Sequence, residues 1–468
     1  MGEARTIHFV SLGCAKNRVD TEVMLGVSDE AGFRLVDDPT DAEVIVVNTC
    51  GFIGPAKKES VETILEMGVH KERGTCEKLV VAGCLSQRYP EELGLELPEV
   101  DHFLGSSDML KLRTVLKGRE ERMLVGNPAE YTMRADDPRI LTEASHRAYV
   151  KIAEGCNRSC SFCAIPSFRG KQRSRAIGDL VREAERLAAA GVVELNLISQ
   201  DTIAYGRDLS ERVTLAGLLE ALGGVDGIRW IRAHYLYPEN LTDSLIEVIS
   251  RNDKVVPYID MPLQHASDRM LQRMRRGHGG DRMIRVVERL RAAIPDLVFR
   301  TTFIVGHPGE TDADFQELCQ FVEWAEFDHV GVFLYSHEEG TPSGDMPDGP
   351  DASIAEARRA ELMRIQRPIS RSRLEIRIGT KLDVLVEGVS DESDLLLQGR
   401  WWGQAPEVDG SVYLANGTAR PGEIRRVLVT DAADYDLMAD FIDASGQRDA
   451  PPDAKDPRPA KVKLRTLG

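Results

Sequence analysis

Three cysteines, Cys156, Cys160 and Cys163, fall close together in the stretch EGCNRSCSFC. A structural zinc site wants four ligands, as two CxxC pairs or with histidines at set spacing. No fourth ligand is near, since the closest histidine, His146, precedes the adjoining strand-like run. A ferredoxin-type cluster also uses four cysteines. Three thiolates on a C-x3-C-x2-C loop instead leave one iron of a 4Fe–4S cluster uncoordinated. Catalytic metals keep such an open position for a substrate or cosubstrate. The alternative, three unrelated buried cysteines, fits poorly with loop spacing of this kind.

A second trio is spread along the chain. Cys14, Cys50 and Cys84 each close an apolar strand-like run: IHFVSLGC, AEVIVVNTC and KLVVAGC. In doubly wound sheets ligands gather beyond the carboxyl ends of the strands, so three cysteines at neighbouring strand ends would converge on one point. Read alone, they could equally be packed thiols. Cys76 precedes its strand and Cys319 lies in an apolar helical stretch, and both read as structural.

The elements that must position these thiols follow from the rhythm of apolar runs. Residues 5–125 alternate short strands with helical stretches, which predicts an N-terminal doubly wound parallel α/β domain. After a loop-like segment, residues 142–370 hold six more strands, at 148–155, 192–199, 228–237, 255–263, 298–306 and 329–336, most followed by helical stretches. Six βα units fall short of a full barrel and predict a partial, open (βα)6 barrel. Its chemistry belongs at the carboxyl strand ends, and the three-cysteine loop follows the first strand directly. From residue 371 to 441, short strand-like pieces between turn residues predict a small all-β barrel. The segment 442–468, rich in Pro, Asp and Lys, reads as a disordered tail.

Composition narrows the class. A chain of 468 residues suits about three domains. No apolar run approaches the roughly 20 residues needed to cross a bilayer, and MGEARTIHFV lacks a signal-peptide core. A cytoplasmic enzyme without membrane contact is therefore expected. Eight cysteines in so long a chain do not read as a disulfide framework. The net charge of −17 disfavours a dedicated nucleic-acid binder.

The C-x3-C-x2-C loop after the first strand of a partial barrel resembles the radical S-adenosylmethionine superfamily. Two three-cysteine sets followed by a small β domain resemble its methylthiotransferase family, over residues 5 to 441. The resemblance implies an N-terminal cluster domain, a radical barrel and a C-terminal TRAM domain. It implies that Cys156, Cys160 and Cys163 hold a 4Fe–4S cluster whose open iron binds S-adenosylmethionine and generates a 5′-deoxyadenosyl radical. It further implies that Cys14, Cys50 and Cys84 hold an auxiliary 4Fe–4S cluster carrying sulfur, and that another S-adenosylmethionine supplies a methyl group.

One branch of the family modifies tRNA bases; another modifies the β-carbon of an aspartate in ribosomal protein S-twelve of the small subunit. The stretches VSLGCAKNRVDTE, NTCGFIGPAKKES, CAIPSFRGKQRSR, LISQDTIAYG and PYIDMPLQHAS resemble the ribosomal branch. The implied partners are ribosomal protein S-twelve or the small ribosomal subunit and an electron donor such as a flavodoxin or ferredoxin, with tRNA not expected. His307, where an aromatic is expected, and Trp401-Trp402 depart from the pattern. Charge argues the same way: residues 374–438 carry twelve acidic and six basic residues, which would repel phosphates and suit a basic protein. Polar residues near barrel strand ends, Glu194 and Gln200 on the second strand, Gln264 on the fourth and Arg300 within the fifth, are candidate S-adenosylmethionine contacts, with packing or surface roles equally open. A tRNA methylthiotransferase and a non-enzymatic iron–sulfur or zinc protein remain the alternatives.

Overall fold

The apolar runs of the first third become strands with no polar face. Val44–Thr49 is buried at every position, as a central strand covered on both sides requires. In the computed structural model, which describes residues 4–118, 121–142, 144–347, 349–443 and 446, these runs form one six-stranded parallel sheet. Its order is Arg34–Leu35, Thr6–Ser11, Val44–Thr49, Lys78–Gly83, His102–Leu104 and Met123–Leu124.

The second alternation builds the partial barrel. Arg147–Lys151, Glu194–Ile198 and Trp230–Ala233 pair in parallel, as do Tyr258–Asp260, Val298–Val305 and His329–Leu334. A parallel bridge between Ile231 and Val255 joins the two halves. Ala148, Val150 and Ile152 face the helical shell, where Leu180, Ala184 and Leu187 of helix Ile177–Ala189 meet them at helical spacing.

Several strands are shorter than the apolar runs suggest. The third and fourth end at Ala233 and Asp260, and the chain leaves the strand direction through left-handed residues at Tyr235 (φ 59°) and Gln264 (φ 76°). The first stops at Lys151, and Ala153–Glu154 pairs antiparallel with Arg173–Ser174 instead. That pair forms the neck of the loop carrying Cys156, Cys160 and Cys163.

A 24-residue helix, Ala352–Glu375, for which the strand rhythm gave no sign, packs Leu362 and Ile365 on the barrel core and leads to the last domain. There Lys381–Val389, Leu397–Trp401, Val412–Ala415, Ile424–Ala432 and Leu437–Phe441 close into a five-stranded barrel. Trp401 is buried in it, edge-on to Trp402 with centroids 4.6 Å apart and under Arg377. Of the expected tail, residues 444, 445 and 447–468 lie outside the described residues. Among the described residues, no helix is long and apolar enough to cross a membrane.

Candidate active site between two thiol sets

Register places Thr6–Ser11, Val44–Thr49 and Lys78–Gly83 side by side, so Cys14, Cys50 and Cys84 follow three adjacent strands. Strand order reverses between the first two, which is where an open α/β sheet forms its ligand crevice. Gly13, at φ 89°, makes the approach possible: a Cβ there would stand 2.8 Å from Cys50 Cβ and 3.1 Å from its Sγ. Cys14 is exposed, Cys50 half-buried and Cys84 buried, and none is in a disulfide.

The second set sits on the loop above the barrel neck. Ser161 Oγ donates to the Arg273 carbonyl (2.8 Å) and accepts from Ser343 Oγ (2.7 Å), and His307 Nε2 lies 2.8 Å from Ser343 Oγ. Burial pushes the His307 imidazole down to about 4, and its ring packs edge-on to Tyr335. Thus the residue standing where an aromatic was expected is a neutral ring that braces the thiol loop. Around the thiols, the Arg158 amide donates to Cys156 Sγ (3.4 Å) and Arg276 Nη1 to Cys160 Sγ (3.4 Å). The Tyr237 hydroxyl stands 3.9 Å from Cys160 Sγ, and its ring lies between the Arg158 and Arg276 guanidinium groups, 3.7 and 3.9 Å from its centroid. Asp201 (2.6 Å) and Glu239 (2.5 Å) hold Arg158.

Arg169 joins the two sets. It ends the short helix Ile165–Arg169, just after Cys163, yet its buried guanidinium donates to Cys84 Sγ from Nε (3.2 Å) and Nη2 (3.0 Å). It also donates to Asn17 Oδ1 (2.6 Å), Asp20 (2.8 Å) and Glu154 (3.3 Å). Lys151 Nζ meets Asp20 and Glu154, each at 2.5 Å, and Gln200 Nε2 donates to Glu154 (2.6 Å). Two cations and two carboxylates therefore balance in the space between the thiol sets. The flanking cations hold the Glu154 carboxyl well below the usual carboxylate range.

Burial pushes Cys84 and Cys163 up to about 12 and Cys156 to about 11. Such thiols deprotonate only on meeting a metal, so loading either set would release protons. Among the described residues no group of three or more His, Cys, Asp or Glu could hold a metal ion. A cluster differs from one ion because each thiolate binds its own iron, and its ligands stand further apart. Three free thiols per set, flanked by N–H donors and feeling one another's charge, fit a cluster and not a closed single-ion site.

Of the four candidate cosubstrate contacts, Gln200 and Gln264 follow their strands at the carboxyl ends. Glu194 and Arg300 do not. Glu194 opens its strand, and its carboxylate is taken by Arg400 (2.6 Å) and Arg232 (3.3 Å). Arg300 is bound by Asp260 (3.0 Å) and Asp409 (3.4 Å). Both belong to a seam where the small β barrel closes the amino-terminal strand ends, with Tyr258 donating to Asp409 (2.6 Å) and Arg147 paired with Glu387 (2.9 Å). Cys76 and Cys319 are buried away from both sets; Cys76 donates to the Lys78 carbonyl and Cys319 lies in the barrel core.

Sequence reasoning missed Asn17, Asp20, Lys151, Glu154, Arg169, Tyr237 and Arg276. The one available signal was charge: Lys151 and Glu154 interrupt an otherwise apolar run, AYVKIAEG.

The partial barrel with its three-thiol loop defines a radical S-adenosylmethionine enzyme. The radical SAM superfamily matches residues 150–322, the uncharacterized protein family UPF0004 residues 6–105, and the TRAM domain residues 378–442. Among solved structures, the radical S-adenosylmethionine methyltransferase TsrM from Kitasatospora setae, with cobalamin and a 4Fe–4S cluster bound, superposes with TM-score 0.54 at 16% identity, over 73% of this chain and 77% of that one. That likeness concerns the fold. Among curated relatives, the ribosomal protein uS12 methylthiotransferase RimO of Sorangium cellulosum is 63% identical over 94% of this chain and 91% of its own length. RimO of Anaeromyxobacter sp. (strain K) is 50% identical over 98% of both chains. The chain belongs to the RimO family of methylthiotransferases.

Proposed function

We propose that this protein attaches a methylthio group to the β-carbon of an aspartate in ribosomal protein uS12. Two 4Fe–4S clusters serve the reaction, one on Cys156, Cys160 and Cys163 and one on Cys14, Cys50 and Cys84. When bound, the first would supply the electron that cleaves S-adenosylmethionine, and the second would carry the sulfur to be delivered.

The observation that carries this reading is the reach of Arg169 from the first thiol loop to Cys84. This contact supports a space shared by the two thiol groups, as a reaction that activates a carbon and then delivers sulfur to it requires. The protein's own residues orient and exclude water. Asp20, Glu154, Lys151 and Arg169 wall that space with satisfied charges, so that it stays ordered without bulk solvent. Gln200 and Gln264 remain the candidate cosubstrate contacts at the carboxyl strand ends. Arg276 takes the place of Arg300 as the cation near them, because no carboxylate pairs with it among the described residues.

The setting is cytoplasmic, with a flavodoxin- or ferredoxin-like electron donor and no tRNA. Mass spectrometry of uS12 from cells lacking this gene tests the reading. The aspartate should lose its methylthio mass and regain it on complementation. An unchanged uS12, with a methylthio group missing from tRNA instead, would overturn it.

A further inference from the structure

A carbon next to a carboxylate is most directly positioned by binding that carboxylate, which calls for a cation at the shared space. Most cations there are already committed. Arg169 and Lys151 are balanced by Asp20 and Glu154, Arg158 by Asp201 and Glu239, and Arg18 is paired with Glu407. Arg276 is buried, with its Nη atoms on Cys160 Sγ and the Pro262 carbonyl.

Lys16 differs. It lies two residues from Cys14 in the first turn of helix Ala15–Glu30, is half-buried, and pairs with no carboxylate among the described residues. Its ammonium rests 3.4 Å from the centroid of the Tyr235 ring, across the boundary between the N-terminal domain and the barrel. A lysine in this place is costly as mere structure. A cation in the first turn opposes the helix dipole, and that turn holds no acidic residue to offset it.

Tyr235 supplies the geometric link. It is held in the left-handed region at φ 59°, with its amide donating to Asp260 Oδ2 (3.1 Å). Two residues on, Tyr237 stands beside Cys160 Sγ. The segment 235–237 therefore links the cation two residues after Cys14 to a thiol of the other set.

We propose that Lys16, seated on Tyr235, binds the side-chain carboxylate of the substrate aspartate and so selects aspartate as the residue modified. This rests on the reading of uS12 as substrate. An ammonium on an aromatic face keeps its charge and still has N–H donors to offer, and a charge-assisted bond in a partly desolvated place is among the stronger ones.

The test measures equilibrium binding of purified uS12 to the anaerobic, iron-loaded enzyme, using uS12 with its native aspartate and uS12 with asparagine in that position. The parent should prefer the aspartate form by roughly ten-fold or more, the size of one charge-assisted hydrogen bond. Lys16→Met should abolish the preference while iron and sulfide content stay at the parent's level, and Lys16→Arg should keep part of it. A Lys16→Met protein that still prefers aspartate ten-fold, or one that loses iron, overturns the assignment. If the parent binds neither form, the uS12 reading itself is wrong, and the assignment falls with it.

Discussion

Arg169 makes five hydrogen bonds to four residues of the N-terminal domain and the barrel neck, and it is buried while doing so. Removing one partner from a buried ionic group costs far more than the group contributes when complete. Arg169→Met should therefore destabilise the protein by about 3–5 kcal/mol in urea titration. Arg169→Lys should recover only part, since one ammonium cannot reproduce the guanidinium fork. A Met variant as stable as the parent would contradict the balance described here. By contrast, Cys76→Ser and Cys319→Ser should leave the iron content unchanged, with a stability loss of about 1–2 kcal/mol from their buried positions. Loss of iron from either would contradict the ligand assignment. The difference in legibility is physical. The thiols declared themselves by short spacing or by closing strands, whereas Asp20 and Arg169 lie 149 residues apart and meet only once the two domains pack.

The seam between the small β barrel and the strand starts loses stability in acid. Burial beside Arg147 and Arg400 pushes His146 down from 6.5 to about 4, so below 6.5 the unfolded chain takes a proton that the folded seam refuses. Glu194 runs the other way in charge but not in consequence. Despite desolvation, Arg400 and Arg232 hold it down from 4.5 to about 2, so its contribution is complete above 4.5 and is lost as pH falls towards 2. Urea midpoints read by tryptophan fluorescence should therefore decline from pH 6.5 downward, and His146→Gln should flatten the decline between 6.5 and 4.5. A profile equally steep in that variant would remove His146 from the explanation. Glu194 was placed at the wrong end of its strand from sequence for a related reason, whereas Arg300 does lie within the fifth strand, Val298–Val305. Alternation tells which face a strand residue takes but not which end it is near, and the apolar run 192–199 overshoots the true strand, Glu194–Ile198, at its start. The carboxyl ends were legible where a motif marked them, as at Cys156. The helix Ala352–Glu375 was not, because its charged residues hide a narrow buried stripe.

At the scale of the whole molecule, the acidic surplus of the last domain divides into two parts. Asp409 faces inward, paired with Arg300 and Tyr258, and Glu407, though exposed, is paired with Arg18 of the N-terminal domain, so both are engaged in holding the domains together. Asp391, Glu392 and Asp394 are exposed beside Leu395 on the turn after Lys381–Val389. Changing these three to Asn or Gln should slow association with basic uS12 and flatten its salt dependence, whereas Asp409→Asn should lower stability instead. Stopped-flow association at low and high salt separates the two, and unchanged rates in the triple variant would exclude this turn from docking.

The central claim is that each thiol set holds its own cluster, and iron with acid-labile sulfide in anaerobically reconstituted protein measures it most directly. The parent should carry about eight irons, two 4Fe–4S clusters' worth. Replacing Cys14, Cys50 and Cys84 with Ala should leave about four, and so should replacing Cys156, Cys160 and Cys163, with only the latter abolishing reductive cleavage of S-adenosylmethionine. A parent holding about four irons, with one of the two triple variants losing none, would contradict it.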